Sequence, residues 1–156
     1  MGGQAIAVRA LPPGGAGHDV PPRVVATQAA ADLLAELVGE HGPVMFHQSG
    51  DCCDGSAPMC YPEGEFRVGQ RDVLLGELPV PVAGGTSAVR VWISGSQFAA
   101  WEHTQLVLDA VPGRGSGFSL ENPTGRRFLS RARVFTDDER AALAEWPART
   151  GAETGA

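Results

Sequence analysis

The chain contains no lysine, so all twelve of its basic residues are arginine. This absence excludes the phosphate-binding loop GxxxxGK(S/T), whose lysine contacts the phosphates. Acidic residues also outnumber basic residues, and the formal net charge is −6. Nucleic-acid binding needs clustered positive charge. We therefore expect no nucleic-acid partner.

Long apolar runs are also missing. No stretch approaches the roughly 20 residues that a membrane-spanning helix needs, and the first residues lack the basic-then-apolar pattern of a secretory signal. We therefore expect a cytoplasmic protein without a membrane partner. In the cytosol cysteines stay reduced, so clustered cysteines are more often ligands or redox thiols than structural bridges.

The length of 156 residues fits one domain. Both ends are rich in Gly, Pro and Ala, which is typical of mobile segments. The sequence therefore predicts a flexible tail over residues 1–22, a globular domain over residues 23–147 and a second flexible tail over residues 148–156.

Capping residues and apolar periodicity predict the elements inside this domain. Thr27, Ser94 or Ser96, and Thr136 are the expected caps of three helices, and Gly42-Pro43 ends the first. The expected helices and strands are a helix over 28–41, strands over 44–48, 65–68, 72–78 and 89–94, a short helix to residue 101, a strand over 104–111, a hairpin of 118–121 with 126–135, and a helix to about residue 145.

Strands outnumber helices in this pattern and mostly follow one another as hairpins. That order favours an α+β fold over a βαβ repeat. We expect a compact, β-rich fold with a mostly antiparallel or mixed sheet, an N-terminal helix, a short middle helix and a C-terminal helix.

The segment from Phe46 to Pro62 holds all three cysteines of the chain, Cys52, Cys53 and Cys60. Thiolate sulfur binds zinc, iron, copper(I) and iron–sulfur clusters. Neighbouring cysteines point in different directions, so one of Cys52 and Cys53 is expected to join Cys60 at a site. The expected cofactor is a transition metal, iron or zinc, with an iron–sulfur cluster as a further option.

Nitrogen and oxygen ligands would complete such a site. His47 lies near the end of the predicted strand that leads into the cysteine segment, and His103 lies at a helix-to-strand junction. The nearby carboxylates are Asp51 and Asp54. Two alternatives stay open: a redox thiol pair of Cys60 with Cys52 or Cys53, and buried cysteines that only pack.

The strings EHGPVMFHQSGDCCDGSAPMCYP, FRVGQRDVLLGEL and HTQLVLDAVPGRGSGFSLENP resemble a small bacterial family of unknown function, the domain family numbered 779. The resemblance covers about residues 24–139. Its members are often encoded beside aldehyde or alcohol dehydrogenases, which implies a dehydrogenase of that kind as a partner.

A weaker resemblance is to the A-type iron–sulfur carriers of the HesB/IscA kind. It rests on the helix over 28–41, the string SGDCC, Leu108-Asp109 and the string GFSLENP, and it implies a fold of that type. Only Cys52 or Cys53 matches a carrier cysteine, because residues 124–131 lack the two further cysteines of the carriers.

Three functions follow as hypotheses. The first is a metal-binding or iron–sulfur-related accessory protein linked to aldehyde or alcohol oxidation. The second is a small metal- or thiol-dependent enzyme for an aldehyde-like substrate, with Tyr61, Gln48 or Glu102 orienting groups or moving protons. The third is a metal-free binding module that regulates a dehydrogenase. A homodimer paired through an edge strand is also expected.

Overall fold

The computed structural model describes residues 5–11, 20–48, 58–114 and 119–154. In chain order the elements are β1 (Ile6–Arg9), β2 (Val24–Thr27), α1 (Gln28–His41), β3 (Val44–Gln48), β4 (Met59–Pro62), β5 (Val73–Val82), β6 (Gly85–Ile93), α2 (Gly95–Trp101), β7 (Thr104–Pro112), a 3-10 turn (Asn122–Thr124), β8 (Arg126–Val134), α3 (Asp137–Ala144), β9 (Arg149–Thr150) and α4 (Gly151–Thr154).

The strands form two mixed sheets. The first sheet has the order β1-β2-β7-β8, and the second has the order β4-β3-β6-β5-β9. The pairs β2/β7 and β3/β6 are parallel, and the other pairs are antiparallel. The α+β class with mixed sheets is therefore confirmed. None of the described helices is long and apolar enough to span a membrane.

Helix α1 packs its apolar side into a core that both sheets share. Ala30, Leu33, Leu34 and Leu37 are fully buried and belong to one cluster with residues of β1 to β8. The helix begins where the Thr27 hydroxyl accepts the Ala30 N–H, at 3.2 Å. It ends at Gly42, whose φ of 80° suits glycine.

A buried carboxylate connects the start of α1 to the first sheet. The Thr27 hydroxyl donates to Oδ1 of Asp109 at 2.8 Å, and the Ala110 N–H donates to the same oxygen at 2.8 Å. Nε of Arg131 donates to Oδ2 at 3.0 Å. The Asp109 side chain is only 2% exposed. Burial pushes the pKa of Asp109 upward, but the three hydrogen bonds outweigh burial and lower it below its usual value.

Elements specified by local signals are confirmed. The helix over 28–41 and the strand over 44–48 have the expected bounds. Ser94 caps α2 by accepting the Gln97 N–H, and Thr136 forms the expected capping box with Glu139 at the start of α3.

Elements that depend on distant pairing differ from expectation. The described segment 65–68 forms no strand; instead Met59–Pro62 forms β4 and pairs with β3. Strand β8 pairs with β7 along its whole length and the described residues 119–121 form no strand, so the hairpin predicted between 118–121 and 126–135 is wrong. Strand β5 also continues through Pro79 and Pro81, where it pairs only with β6. Proline is tolerated there because its missing N–H faces an open edge.

Besides β4, four further elements were not predicted. Strands β1 and β2 precede the first helix, and β9 and α4 follow Pro147. Strand β1 pairs with β2 through Ile6 and Thr27, and β9 pairs with Val73 and Leu74 of β5. Their short length hides any apolar periodicity, so only the partner strand reveals them.

The Asp109 network predicts a pH-dependent stability difference. Asp109→Asn should lower the free energy of unfolding at neutral pH by about 1–3 kcal/mol, because buried donors lose a charged acceptor. The folded-state pKa of Asp109 is lowered, so its contribution is present above the unfolded-chain pKa of about 3.9 and is lost as the pH falls through the folded-state pKa. Urea unfolding of both proteins between neutral and acidic pH measures the difference.

The exposed Asp32→Asn is the control and should change stability by less than about 0.5 kcal/mol. A difference between parent and Asp109→Asn that stays constant down to pH ~3 would contradict the role of the ionised carboxylate.

Candidate functional site

Strand β3 determines which candidate residues can meet. It lies between β4 and β6, and all five of its residues are buried. Phe46 pairs with Cys60, and His47 pairs with Met59. Cross-strand partners share a face of the sheet, whereas successive residues alternate. Cys60 and His47 therefore lie on opposite faces, and the structure does not bring these two predicted ligands together.

Cys60 lies on the face toward the core. It is fully buried within the cluster that contains Phe46. Burial, together with the nearby charge of Glu121, strongly raises the pKa of the Cys60 thiol. In the described structure Cys60 therefore packs in the core as a small apolar side chain with a protonated thiol.

The second buried carboxylate, Glu121, organises the chain beside Cys60. The Ser119 hydroxyl donates to Oε1 of Glu121 and accepts the Cys60 N–H at 2.8 Å. Oε2 of Glu121 accepts the Phe128 N–H at 3.3 Å. The Cys60 carbonyl also accepts the Leu120 N–H at 3.0 Å. Glu121 therefore joins β4 to β8 and has a structural role.

His47 lies on the opposite face of the second sheet. Its Nε2 is 3.1 Å from Oδ2 of Asp72, and the Gly69 N–H donates to the same oxygen at 2.8 Å. The imidazole packs on Phe66 at 4.3 Å between ring centroids, and Phe66 stacks on Tyr61 at 4.9 Å. Burial raises the pKa of Tyr61, so its hydroxyl is neutral at physiological pH.

Four of the predicted ligands, Cys52, Cys53, Asp51 and Asp54, lie outside the described residues. Within the described ranges, no group of three or more His, Cys, Asp or Glu side chains is arranged to hold a metal ion.

A cavity of about 370 Å³ lies where β3, β5 and β6 of the second sheet face α2, β7 and β8. Gln48 and Ile93 are paired at the ends of β3 and β6 and line it from the core-facing side. Helix α2 is held nearby, because the Ser94 N–H donates to the Gln48 carbonyl at 3.1 Å. Its apolar walls are Leu75, Ile93, Phe98, Trp101, Leu106 and Ala132.

Few charged groups reach this cavity. Arg23, Glu102 and Arg131 line it together with the amide of Gln48. A second cavity, of about 670 Å³, shares Arg23, Phe98 and Glu102 and continues past His103 to α3. The structure thus gathers Gln48, Glu102 and His103 around two adjacent cavities, away from Cys60 and His47.

Comparison with known proteins identifies the family but no activity. The family model described as a domain of unknown function (DUF779) matches residues 33–134. The chain belongs to this family. No curated protein and no solved structure matches the chain. The matched region contains the walls of the first cavity, and Arg23 precedes it.

Arg23 and Arg131 were not among the predicted site residues. Arg23 follows Pro21 and Pro22, where composition indicates only an irregular segment. Arg131 belongs to a basic stretch of β8 that looks like a solvated strand. The sequence feature that pointed to the cavity was the pair of aromatic residues Phe98 and Trp101 in the short helix α2, which follows a strand.

The reactivity of the Cys60 thiol tests whether this residue packs in the core. Iodoacetamide should modify Cys60 only slowly in the folded protein and readily in urea, because the thiol is buried and protonated. Tandem mass spectrometry separates its labelling from that of Cys52 and Cys53. Cys60→Ala should lower the free energy of unfolding by about 1 kcal/mol. Rapid labelling of native Cys60 would contradict a packing role.

Proposed function

We propose that this protein binds a small organic molecule in the cavity between its two sheets. The observation that supports this proposal is the cavity itself. It has a volume of about 370 Å³ and a largely apolar lining with a few polar groups at defined places. Small-molecule sites are typically concave and apolar, with a small number of polar groups that orient the ligand. This proposal shares the absence of a metal with the third functional hypothesis, but its ligand is a small organic molecule and not a dehydrogenase.

The chemistry of the lining favours binding over catalysis. Among the described residues around the first cavity, Glu102 is the only carboxylate, and none is a cysteine or histidine. Acid–base or nucleophilic catalysis generally uses a nucleophile and a base, or two titratable groups with separate roles. In this proposal Gln48 and Glu102 orient the ligand through hydrogen bonds.

Two aromatic side chains of α2 strengthen the proposal. Phe98 is partly buried against the cavity, and Trp101 is 50% exposed at its rim. An aromatic ring left half in water gains contact area when an apolar ligand covers it. Ligand binding would supply that cover.

An uncharged dye tests the proposal. N-phenylnaphthylamine fluoresces strongly in apolar surroundings, so titration with the parent protein should give saturable enhancement. Ala132→Trp should weaken dye binding by about tenfold, the equivalent of ~1.4 kcal/mol, because the larger side chain occupies the cavity rim. Ala132 is exposed, so the substitution should leave the core intact.

The matched control is Ala88→Trp, at an exposed position of β6 that does not line the cavity. Its dye affinity should equal that of the parent. Absence of binding by the parent, or equal affinity of Ala132→Trp and Ala88→Trp, would contradict a ligand site between the sheets.

A metal site is the second candidate function, and one observation favours it. Histidine ligands of metals usually have a ring nitrogen held by a carboxylate, which fixes the imidazole. Asp72 stands in this relation to His47, at 3.1 Å. We propose that any metal would be held by His47 with Cys52 or Cys53, and that Cys60 takes no part.

Elemental analysis of protein purified without a His-tag tests this second candidate. Parent and Cys60→Ala should carry the same stoichiometric metal, and His47→Gln should lose it. Asp72→Asn should weaken affinity by about 10- to 100-fold. Circular dichroism checks that each variant is folded. Metal-free parent protein, including anaerobic preparations, would contradict the second candidate.

A further inference from the structure

Arg23 occupies the border between the two cavities. It lines both of them, together with Phe98 and Glu102. The Arg23 carbonyl accepts the Leu106 N–H at 2.9 Å, which fixes its backbone beside β7. Its Nη2 donates to the Trp146 carbonyl at 2.8 Å, so the guanidinium is held at this border.

The charge of Arg23 is not balanced by direct contact. Within the described ranges, no carboxylate lies within 4.0 Å of the Arg23 guanidinium, whereas Arg131, the other arginine at the first cavity, has such a partner in Asp109. Burial lowers the pKa of Arg23, and the charge of Glu102 offsets this only in part. A partly buried cation with a neutral carbonyl as its hydrogen-bond partner is an incomplete arrangement, because buried charges are normally paired.

The neighbouring charged residues do not provide Arg23 with a paired counter-charge. Arg131 lines the first cavity, but its charge is matched by Asp109 at 3.0 Å. Glu102 is exposed at the end of α2, so water screens its charge. Arg23 is therefore the cation that gains most from an anion entering the cavity.

We propose that Arg23 binds the carboxylate of an organic monoanion whose apolar body fills the cavity between the two sheets. This inference rests on the proposed function and specifies its ligand class. A guanidinium presents several N–H donors in a plane and pairs with carboxylates through charge-assisted hydrogen bonds. The walls formed by Ile93, Phe98 and Leu106 suit an aromatic or branched apolar body.

Two probes of equal size separate charge from shape. Naphthoate and naphthylmethanol share the same ring system, but only the first carries a carboxylate. Calorimetric titration of the parent should show naphthoate binding at least about tenfold more tightly, since a charge-assisted hydrogen bond is roughly twice as strong as a neutral one. In Arg23→Gln the two probes should bind equally, with the affinity for naphthylmethanol unchanged.

Arg140→Gln is the matched control. Arg140 also lines the second cavity, but Asp137 lies within 3.9 Å of its guanidinium. This variant should keep the preference for naphthoate, which distinguishes the site of Arg23 from general loss of positive charge.

The outcomes separate the inference from the proposed function. If the uncharged dye binds but the parent does not distinguish naphthoate from naphthylmethanol, the role of Arg23 is overturned and the cavity site stands. A preference that persists in folded Arg23→Gln also overturns it. If none of the three probes binds, both proposals fail. The comparison in the parent protein decides even where Arg23→Gln does not fold.

Discussion

The alternation of side chains along β3 is the constraint on which the site depends. This strand is covered on both faces, so each of its residues is committed to one of two separate environments. Phe46 and Gln48 face the first sheet, where Gln48 reaches the cavity. His47 faces the other side, against Phe66 and Asp72. One site therefore cannot contain the side chains of both Gln48 and His47. A ligand in the first cavity and a metal bound by His47 would occupy separate sites.

Three buried or partly buried charges have different roles in this molecule. Asp109 and Glu121 accept hydrogen bonds from several donors and thereby join elements that are distant in sequence. Such satisfied carboxylates stabilise the fold, because removing one leaves buried donors without an acceptor. Arg23 differs, since its described hydrogen-bond partner is a carbonyl. This contrast supports the proposed role of Arg23 in binding an anionic ligand.

Local signals in the sequence predicted local structure. Thr27 and Thr136 were recognised as helix caps, and Ser94 as one of two candidates, because a cap needs only its own next three residues. The pairing of Cys60 with Phe46 depends on a return of the chain that no local pattern encodes, so Cys60 looked like part of a ligand loop. Gln48 and Glu102 were named as site residues, but only the folded structure, in which residues of α2, β7 and β8 line one cavity with them, shows that they face it.

Binding and selection are carried by different parts of the chain. The walls of the first cavity lie within residues 33–134, the region that defines membership of the family. Arg23 lies before that region, in a segment fixed to β7 by its backbone and to Trp146 by its side chain. Apolar burial supplies affinity without regard to ligand charge, whereas a guanidinium discriminates between a carboxylate and an alcohol. If Arg23 selects the ligand, a change in the segment before α1 can alter which ligand binds while the cavity and the family fold stay as they are.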